Sequence, residues 1–437
     1  MVEILFFMSW TLLFASMVLS WVLFSNITSP VACFGAVYGI SFLIFSVNLT
    51  NRDALSFDTY LSFILAIVFF YLGSFMAYLI KNKKIEKDRY SILTINYDIL
   101  IVIMKYVVLI SLAGTLLYVF TVVSGFGLKF FINHPRLARS AMTGQYFDAG
   151  YFSYVTISLV FVGAILGGVI NRYNYKIKIG YMPLLMSGVI NMFYLSRAMF
   201  LVTLIMYVTG LFVRTDRSVK SIGKIPGNNN KLIPILVLSV VGFIAIGFVT
   251  YQRYETTDRA SIYDVLEPYV VNVSQNWILV DKVINTNRPL SFGVNTFYCY
   301  AKLLYEIGLI DENPRNIALF STNLGLTWGG ESNTYTFIGH LFDDFGMSGV
   351  VIGYFLFGFI CIYAYINYKD NAALFSLALV CFSYAEIIFS VQGSQIATFQ
   401  FNLALIVFYM LFLTNNKITK EINNYKNCTV GEPQTFS

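Results

Sequence analysis

The stretch Ile99–Val123, ILIVIMKYVVLISLAGTLLYVFTVV, carries a single charged side chain, Lys105, and can cross a membrane as one helix. A spanning helix needs about 20 mostly apolar residues. Comparable windows recur at 3–24, 30–49, 58–80, 150–170, 178–194, 198–213, 232–250, 347–366, 372–390 and 397–414. The sequence therefore predicts an all-α, polytopic integral membrane protein with about 11 (roughly 10–12) transmembrane helices.

Composition supports this class and excludes others. Of the 437 residues, 57% are hydrophobic and 12% are charged, which is not the balance of a soluble globular protein of this size. The five cysteines show no spacing typical of a disulfide framework or a metal site, and Lys and Arg are spread over many loops. We expect no metal, no cofactor and no nucleic-acid partner.

One long polar segment interrupts the series of apolar windows. We expect helices 1–8 with a loop at 124–149 in 1–250, the long loop at 251–346, helices 9–11 in 347–414, and a tail at 415–437. Apolar residues at helical spacing predict amphipathic helices at Ala260–Ile284 and Thr296–Ile310. These helices would lie over the bundle as a lid.

The distribution of Lys and Arg predicts the orientation of the chain. Basic residues concentrate in 81–98, 171–180, 214–231 and the tail, and cytoplasmic loops retain such residues. The tail is therefore expected in the cytoplasm of a bacterial cell. The loops 124–149 and 251–346 are expected on the periplasmic face of the inner membrane.

Arginines are the candidate phosphate ligands, because a guanidinium matches phosphate oxygens in shape and charge. Arg136 and Arg139 lie in the 124–149 loop, where contact with phospholipid headgroups is the alternative. Arg197 interrupts a long apolar run and either binds phosphate or forms a structural ion pair with Glu386. Arg253 and Arg259, at the start of the long loop, are second-rank ligands.

Polar groups also concentrate at the end of the long loop. His340, Asp344 and Glu331 are candidate bases in the stretch 331–349, and Gly346 and Gly349 there permit close backbone approach. The alternative is structural: Asp343 and Asp344 would cap the ninth helix, with His340 bound to a backbone carbonyl.

These features together resemble the O-antigen or oligosaccharide repeat-unit polymerases of the Wzy type. The resemblance rests on the number of spans, the basic outer loops, the single long outer loop, and the stretches Asn333–Phe337 and Asp344–Gly349. Arg139, ten further residues and Gly150 fit an arginine–glycine pattern of the family. Arg253 and Arg259 depart from that pattern, because neither is followed by glycine at this spacing.

The resemblance implies a GT-C-like bundle that transfers a growing glycan from undecaprenyl pyrophosphate to a lipid-linked repeat unit without a metal. Arg136, Arg139 and Arg197 would hold the pyrophosphate, and His340 or Asp344 would orient or deprotonate the acceptor hydroxyl. Membrane lipid, a chain-length regulator and a flippase are the further partners expected. An O-antigen ligase acting on lipid A-core would share almost every feature. A lipid-linked oligosaccharide flippase is the non-enzyme alternative, although it should show two symmetric halves.

Overall fold

The computed structural model describes residues 2–47, 55–84, 97–134, 151–174, 177–194, 198–213, 262–286, 288–319, 335–371 and 374–413. The described part is helical and contains no strand. Its helices are α1 (Val2–Phe24), α2 (Pro30–Val47), α3 (Phe57–Lys84), α4 (Tyr97–Phe126), α5 (Leu128–Asn133), α6 (Tyr151–Tyr173), α7 (Met182–Tyr194), α8 (Ala198–Phe212), α9 (Ile262–Asn285), α10 (Tyr298–Glu306), α11 (Pro314–Ile317), α12 (Phe337–Asn371), α13 (Leu374–Phe389) and α14 (Phe399–Leu413). A short 3₁₀ helix, Lys178–Tyr181, precedes α7.

Six described helices are long and apolar enough to cross a membrane: Glu3–Phe24, Pro30–Val47, Phe57–Lys81, Ile99–Phe126, Phe152–Arg172 and Phe337–Asp370. Helices α8, α13 and α14 are apolar but shorter. The predicted window 232–250 lies outside the described residues. The chain is thus a helical protein with several membrane-spanning candidates, and the total of eleven stays a prediction.

The chain divides into two compact units. Unit 1 comprises Met1–Ile85, Ile246–Ile366 and Phe382–Asn402, and unit 2 comprises Glu86–Ala245, Asn367–Cys381 and Leu403–Ser437.

Aromatic packing forms the core of unit 1 around α9. Trp277 is fully buried, its ring centroid lies 5.0 Å from that of Phe42 and 4.9 Å from that of Phe63, and its Nε1–H donates to Ser41 Oγ at 2.9 Å. Large buried rings of this kind contribute much apolar area, and the indole N–H needs a partner when it is buried. Helix α9, predicted as an amphipathic helix, is therefore confirmed as a helix, and it packs into the bundle through Trp277.

Glycines allow α3 and α12 to approach closely within unit 1. A Cβ at Gly73 would collide with the Phe355 carbonyl, and a Cβ at Gly358 would collide with the Phe70 carbonyl. Small residues at helix interfaces permit this backbone contact in membrane proteins.

Unit 2 packs α6 against α4, α7 and α8. Arg172, counted above among the loop charges of 171–180, lies instead on α6 and is buried. Its guanidinium donates to the carbonyls of Gly210 and Leu211, the latter at 3.2 Å, and to the Tyr368 hydroxyl at 2.8 Å. The carbonyls at the C-terminal end of α8 lack helical donors, so a buried cation is stabilised there.

Helix α12 begins at Phe337, upstream of the predicted start at 347. Thr336 Oγ1 accepts a hydrogen bond from the Gly339 N–H at 3.3 Å, as an N-cap residue does, and the Phe337 N–H donates to the Ser390 carbonyl at 2.8 Å. Hydropathy alone missed this start because the first turns carry His340, Asp343 and Asp344. These three residues are therefore on a helix and not in a loop.

Candidate functional site

Three side chains of the first turns of α12 form the centre of the site. His340 precedes Asp343 by three residues and Asp344 by four, and residues at these spacings lie on the same face of a helix. Asp343 and Asp344 are buried, whereas the His340 side chain is partly exposed.

Asp344 is held by a loop that is distant in sequence. Its Oδ2 accepts from the Thr296 N–H at 2.7 Å, and its Oδ1 accepts from the Asn295 N–H at 2.9 Å and from Ser291 Oγ at 2.5 Å. The Asn295 amide adds a hydrogen bond to Oδ1 at 3.1 Å. Burying a carboxylate is costly unless its oxygens are hydrogen-bonded, and four donors meet that need here.

Asp343 shares two of these donors. Its Oδ2 accepts from Asn295 Nδ2 at 2.8 Å and from Ser291 Oγ at 3.0 Å, and its Oδ1 lies 3.4 Å from Arg288 Nε. A hydroxyl has one proton, so Ser291 can donate to only one of the two carboxylates at a time. The site thus brings two neighbouring carboxylates together with the Arg288 guanidinium.

A break in α12 at Gly346 lets the loop bind the backbone as well. Gly346 has φ 66° and ψ −156°, and such a break leaves carbonyls of the preceding turn available. The carbonyls of Asp343 and Asp344 accept from the N–H groups of Ser291 and Phe292, at 3.0 and 3.1 Å. Beyond the break, a Cβ at Gly349 would collide with the Leu341 carbonyl, which confirms the predicted close backbone approach at this position. At Gly346 a Cβ would meet no atom within 4 Å, so the prediction of a close approach is wrong there and the glycine serves the positive φ instead.

Two polar atoms in this region have no hydrogen-bond partner among the described residues: Nδ1 of His340 and Oγ1 of Thr296, both buried. Buried polar atoms are usually paired, and exceptions often mark a functional position. The Thr296 N–H donates to Asp344, and His340 precedes Asp344 by four residues on the same helix, so both residues lie next to Asp344.

Tyr335 lies immediately before α12 and is buried. Burial raises the pKa of its phenol to about 12; the Arg288 guanidinium lowers this pKa and the Asp343 carboxylate raises it. The Tyr335 hydroxyl therefore keeps its proton near neutral pH and cannot act there as a base.

Glu386 is buried at the end of α13 and closes the turn that leads to α14. Its Oε1 accepts from Ser394 Oγ at 2.9 Å, and its Oε2 accepts from the N–H groups of Gln395 and Ile396 at 2.8 and 3.1 Å. Three local donors thus accompany this buried carboxylate. The alternative partner, Arg197, lies outside the described residues, so the ion pair stays a prediction.

The structure locates only some of the predicted site residues. His340 and Asp344 belong to one cluster, and Glu386 closes a separate turn. The others lie outside the described residues, and their roles stay predictions: Glu331, Arg136, Arg139, Arg197, Arg253 and Arg259. Sequence reasoning missed Arg288, Ser291 and Asn295. The one available signal was the run of polar residues around Gly293 between two amphipathic segments.

Comparisons with known proteins give little information about the chemistry of this site. A family model described as a protein of unknown function, DUF1275, matches residues 33–192. No curated protein and no solved structure matches the chain. The matched range contains neither α9 nor α12, so it is silent on the cluster around Asp344.

Proposed function

We propose that the chain is a glycosyltransferase that polymerises lipid-linked oligosaccharide repeat units at the periplasmic face of a bacterial inner membrane. The observation that carries the proposal is the His340–Asp344 cluster: a partly exposed imidazole and a fully anchored carboxylate at the start of an apolar helix. A lipid-linked substrate presents its sugar at such a position, next to the membrane surface.

In this proposal the imidazole of His340 is the general base. The acceptor hydroxyl gives its proton to His340 while its oxygen attacks the anomeric carbon of the donor sugar. The bond between that carbon and the pyrophosphate oxygen breaks, and undecaprenyl pyrophosphate leaves with the electron pair. A positioned base contributes about 100- to 10,000-fold to such a step.

Asp344 has a positioning role in this scheme. Both of its oxygens already accept hydrogen bonds from Ser291, Asn295 and Thr296, so it is less free than His340 to take a proton from a substrate. Through these hydrogen bonds Asp344 holds the first turns of α12, and with them His340, against the residues 291–296. The predicted arginines would stabilise the leaving pyrophosphate.

Purified chain in nanodiscs, given synthetic undecaprenyl-pyrophosphate repeat units, tests the proposal. We expect a ladder of products that differ by one repeat unit on a gel. Transfer only to lipid A-core would identify a ligase, and movement of substrate between leaflets without a new glycosidic bond would identify a flippase. Either of these results, or the absence of any product, would contradict the polymerase.

A further inference from the structure

We propose that the segment 290–309 is a membrane-surface anchor, whose apolar face lies in the boundary between headgroups and acyl chains of one leaflet. The partner is the lipid bilayer itself. This inference does not depend on the catalytic proposal.

The apolar face follows the period of helix α10. Tyr300, Leu303, Leu304 and Ile307 lie at positions i, i+3, i+4 and i+7, and all four are exposed. Given about 100° of rotation per residue, Lys302 lies about 150° from the centre of this stripe and Glu306 about 110° from it.

Exposed apolar residues continue beyond α10 on both sides. They are Leu290, Phe292 and Phe297 before the stripe and Leu309 after it; Phe292 is 79% and Leu309 68% exposed. Phe292 has φ 47°, an uncommon value for a residue other than glycine. Eight exposed apolar side chains within one segment of 20 residues are typical of an interaction site.

Hydrogen bonds attach the segment 290–309 to the residues at which two apolar helices, α12 and α14, begin. Ser291 and Asn295 bind Asp343 and Asp344 in the first turns of α12. At the other end, the Cys299 N–H donates to the Ala397 carbonyl at 3.2 Å.

The Tyr300 hydroxyl extends this second attachment, because it donates to Asn402 Oδ1 at 3.0 Å in the first turn of α14. Helix α12 is long enough to span a membrane, and α14 is apolar. The exposed face is therefore continuous with the points at which these helices start, which places it at the bilayer surface.

Charge indicates how the segment would bind. The range 288–319 contains three Lys or Arg residues and three Asp or Glu residues, so it carries no net positive charge to attract anionic lipid. Binding would come from burial of the apolar side chains, as for an interfacial amphipathic helix. We therefore expect the same depth in zwitterionic and in anionic bilayers.

Photo-crosslinking of the full chain tests this proposal. The photoreactive residue p-benzoylphenylalanine replaces Leu303 or Ile307, with Lys302 and Glu306 as matched controls on the same helix. Each variant is placed in phosphatidylcholine nanodiscs, with and without phosphatidylglycerol, and irradiated. Leu304 serves as the replacement position if one of the apolar variants does not fold.

We expect lipid adducts at positions 303 and 307, at least about fivefold more abundant by mass spectrometry than at 302 and 306, in both lipid mixtures. Crosslinked dimers would show that a second copy covers the face. Crosslinks within one chain would show that another segment of this protein covers it. Either result, equal adducts at all four positions, or no adduct would overturn the proposal.

Discussion

In unit 1, Asp281 on α9 and the pair Asp343–Asp344 on α12 are each held by several hydrogen-bond donors, but the two arrangements differ. Asp281 Oδ1 accepts from the Ser56 N–H and hydroxyl, both at 2.8 Å, and from the Thr59 hydroxyl at 2.6 Å. These donors lie at the N-terminus of α3, where a carboxylate is favoured by free N–H groups and the helix dipole. Asp281 thus connects α9 to the N-terminus of α3 through hydrogen bonds.

The Asp343–Asp344 pair on α12 is also held by hydrogen bonds, but it has additional features. Two carboxylates share the donors Ser291 and Asn295, and His340 lies on the same helical face with an unpartnered Nδ1 among the described residues. The comparison teaches that a carboxylate with several hydrogen-bond donors is by itself a sign of structure. The neighbouring imidazole, with an unsatisfied atom, is what distinguishes a candidate reaction centre.

The substitution Gly349→Leu should have the largest effect of all, on the yield of folded protein. A side chain at this position would collide with the Leu341 carbonyl, so α12 could not keep its two parts together around Gly346. We expect loss of folded protein, measured as the monodisperse fraction by size-exclusion chromatography in detergent. Gly188→Ala on α7 is the control, because the nearest atom to a Cβ there, on Phe200, lies 4.0 Å away. Equal yields for both variants would show that the contact at Gly349 is not required.

Asp344→Ala should have the next largest effect, a loss in the free energy of unfolding. It would leave the N–H groups of Asn295 and Thr296 buried without an acceptor, at a cost of about 3 kcal/mol or more in the free energy of unfolding. Thermal unfolding in nanodiscs measures the effect. Asp344→Asn should lower the free energy of unfolding by less, because its amide oxygen can still accept a hydrogen bond. A wild-type unfolding temperature for Asp344→Ala would contradict the anchoring role.

Asp281→Asn should have a smaller effect on stability, about 1 kcal/mol, because the amide oxygen can still accept from Ser56 while the charge near α3 is lost. The same unfolding assay measures it. Activity per folded molecule should not change. A variant that is fully stable but inactive would mean that Asp281, and not the α12 pair, belongs to the reaction centre.

Part of this organisation could be predicted from sequence. Apolar windows located the long helices because a spanning segment has an unmistakable composition. Helical periodicity located α9 and α10, and the concentration of polar residues pointed to His340 and Asp344. Local patterns of this kind are readable within a short window.

The partners of Asp344 could not be predicted in this way. Ser291, Asn295 and Thr296 precede it by some fifty residues, and nothing in their local pattern specifies a carboxylate. The start of α12 was missed for a related reason, since the carboxylates in its polar first turns are hydrogen-bonded to these distant residues. Arg172 was misplaced because a charge at a helix end looks like a loop residue until its carbonyl partners are known.

The most direct test of the account is the rate of chain extension by His340→Gln, measured beside Asp281→Asn in the same nanodiscs with undecaprenyl-pyrophosphate repeat units. We expect His340→Gln to keep the wild-type unfolding temperature and to lose about 100-fold or more in rate, while Asp281→Asn keeps its rate. A His340→Gln variant that extends chains at the wild-type rate would contradict the central claim.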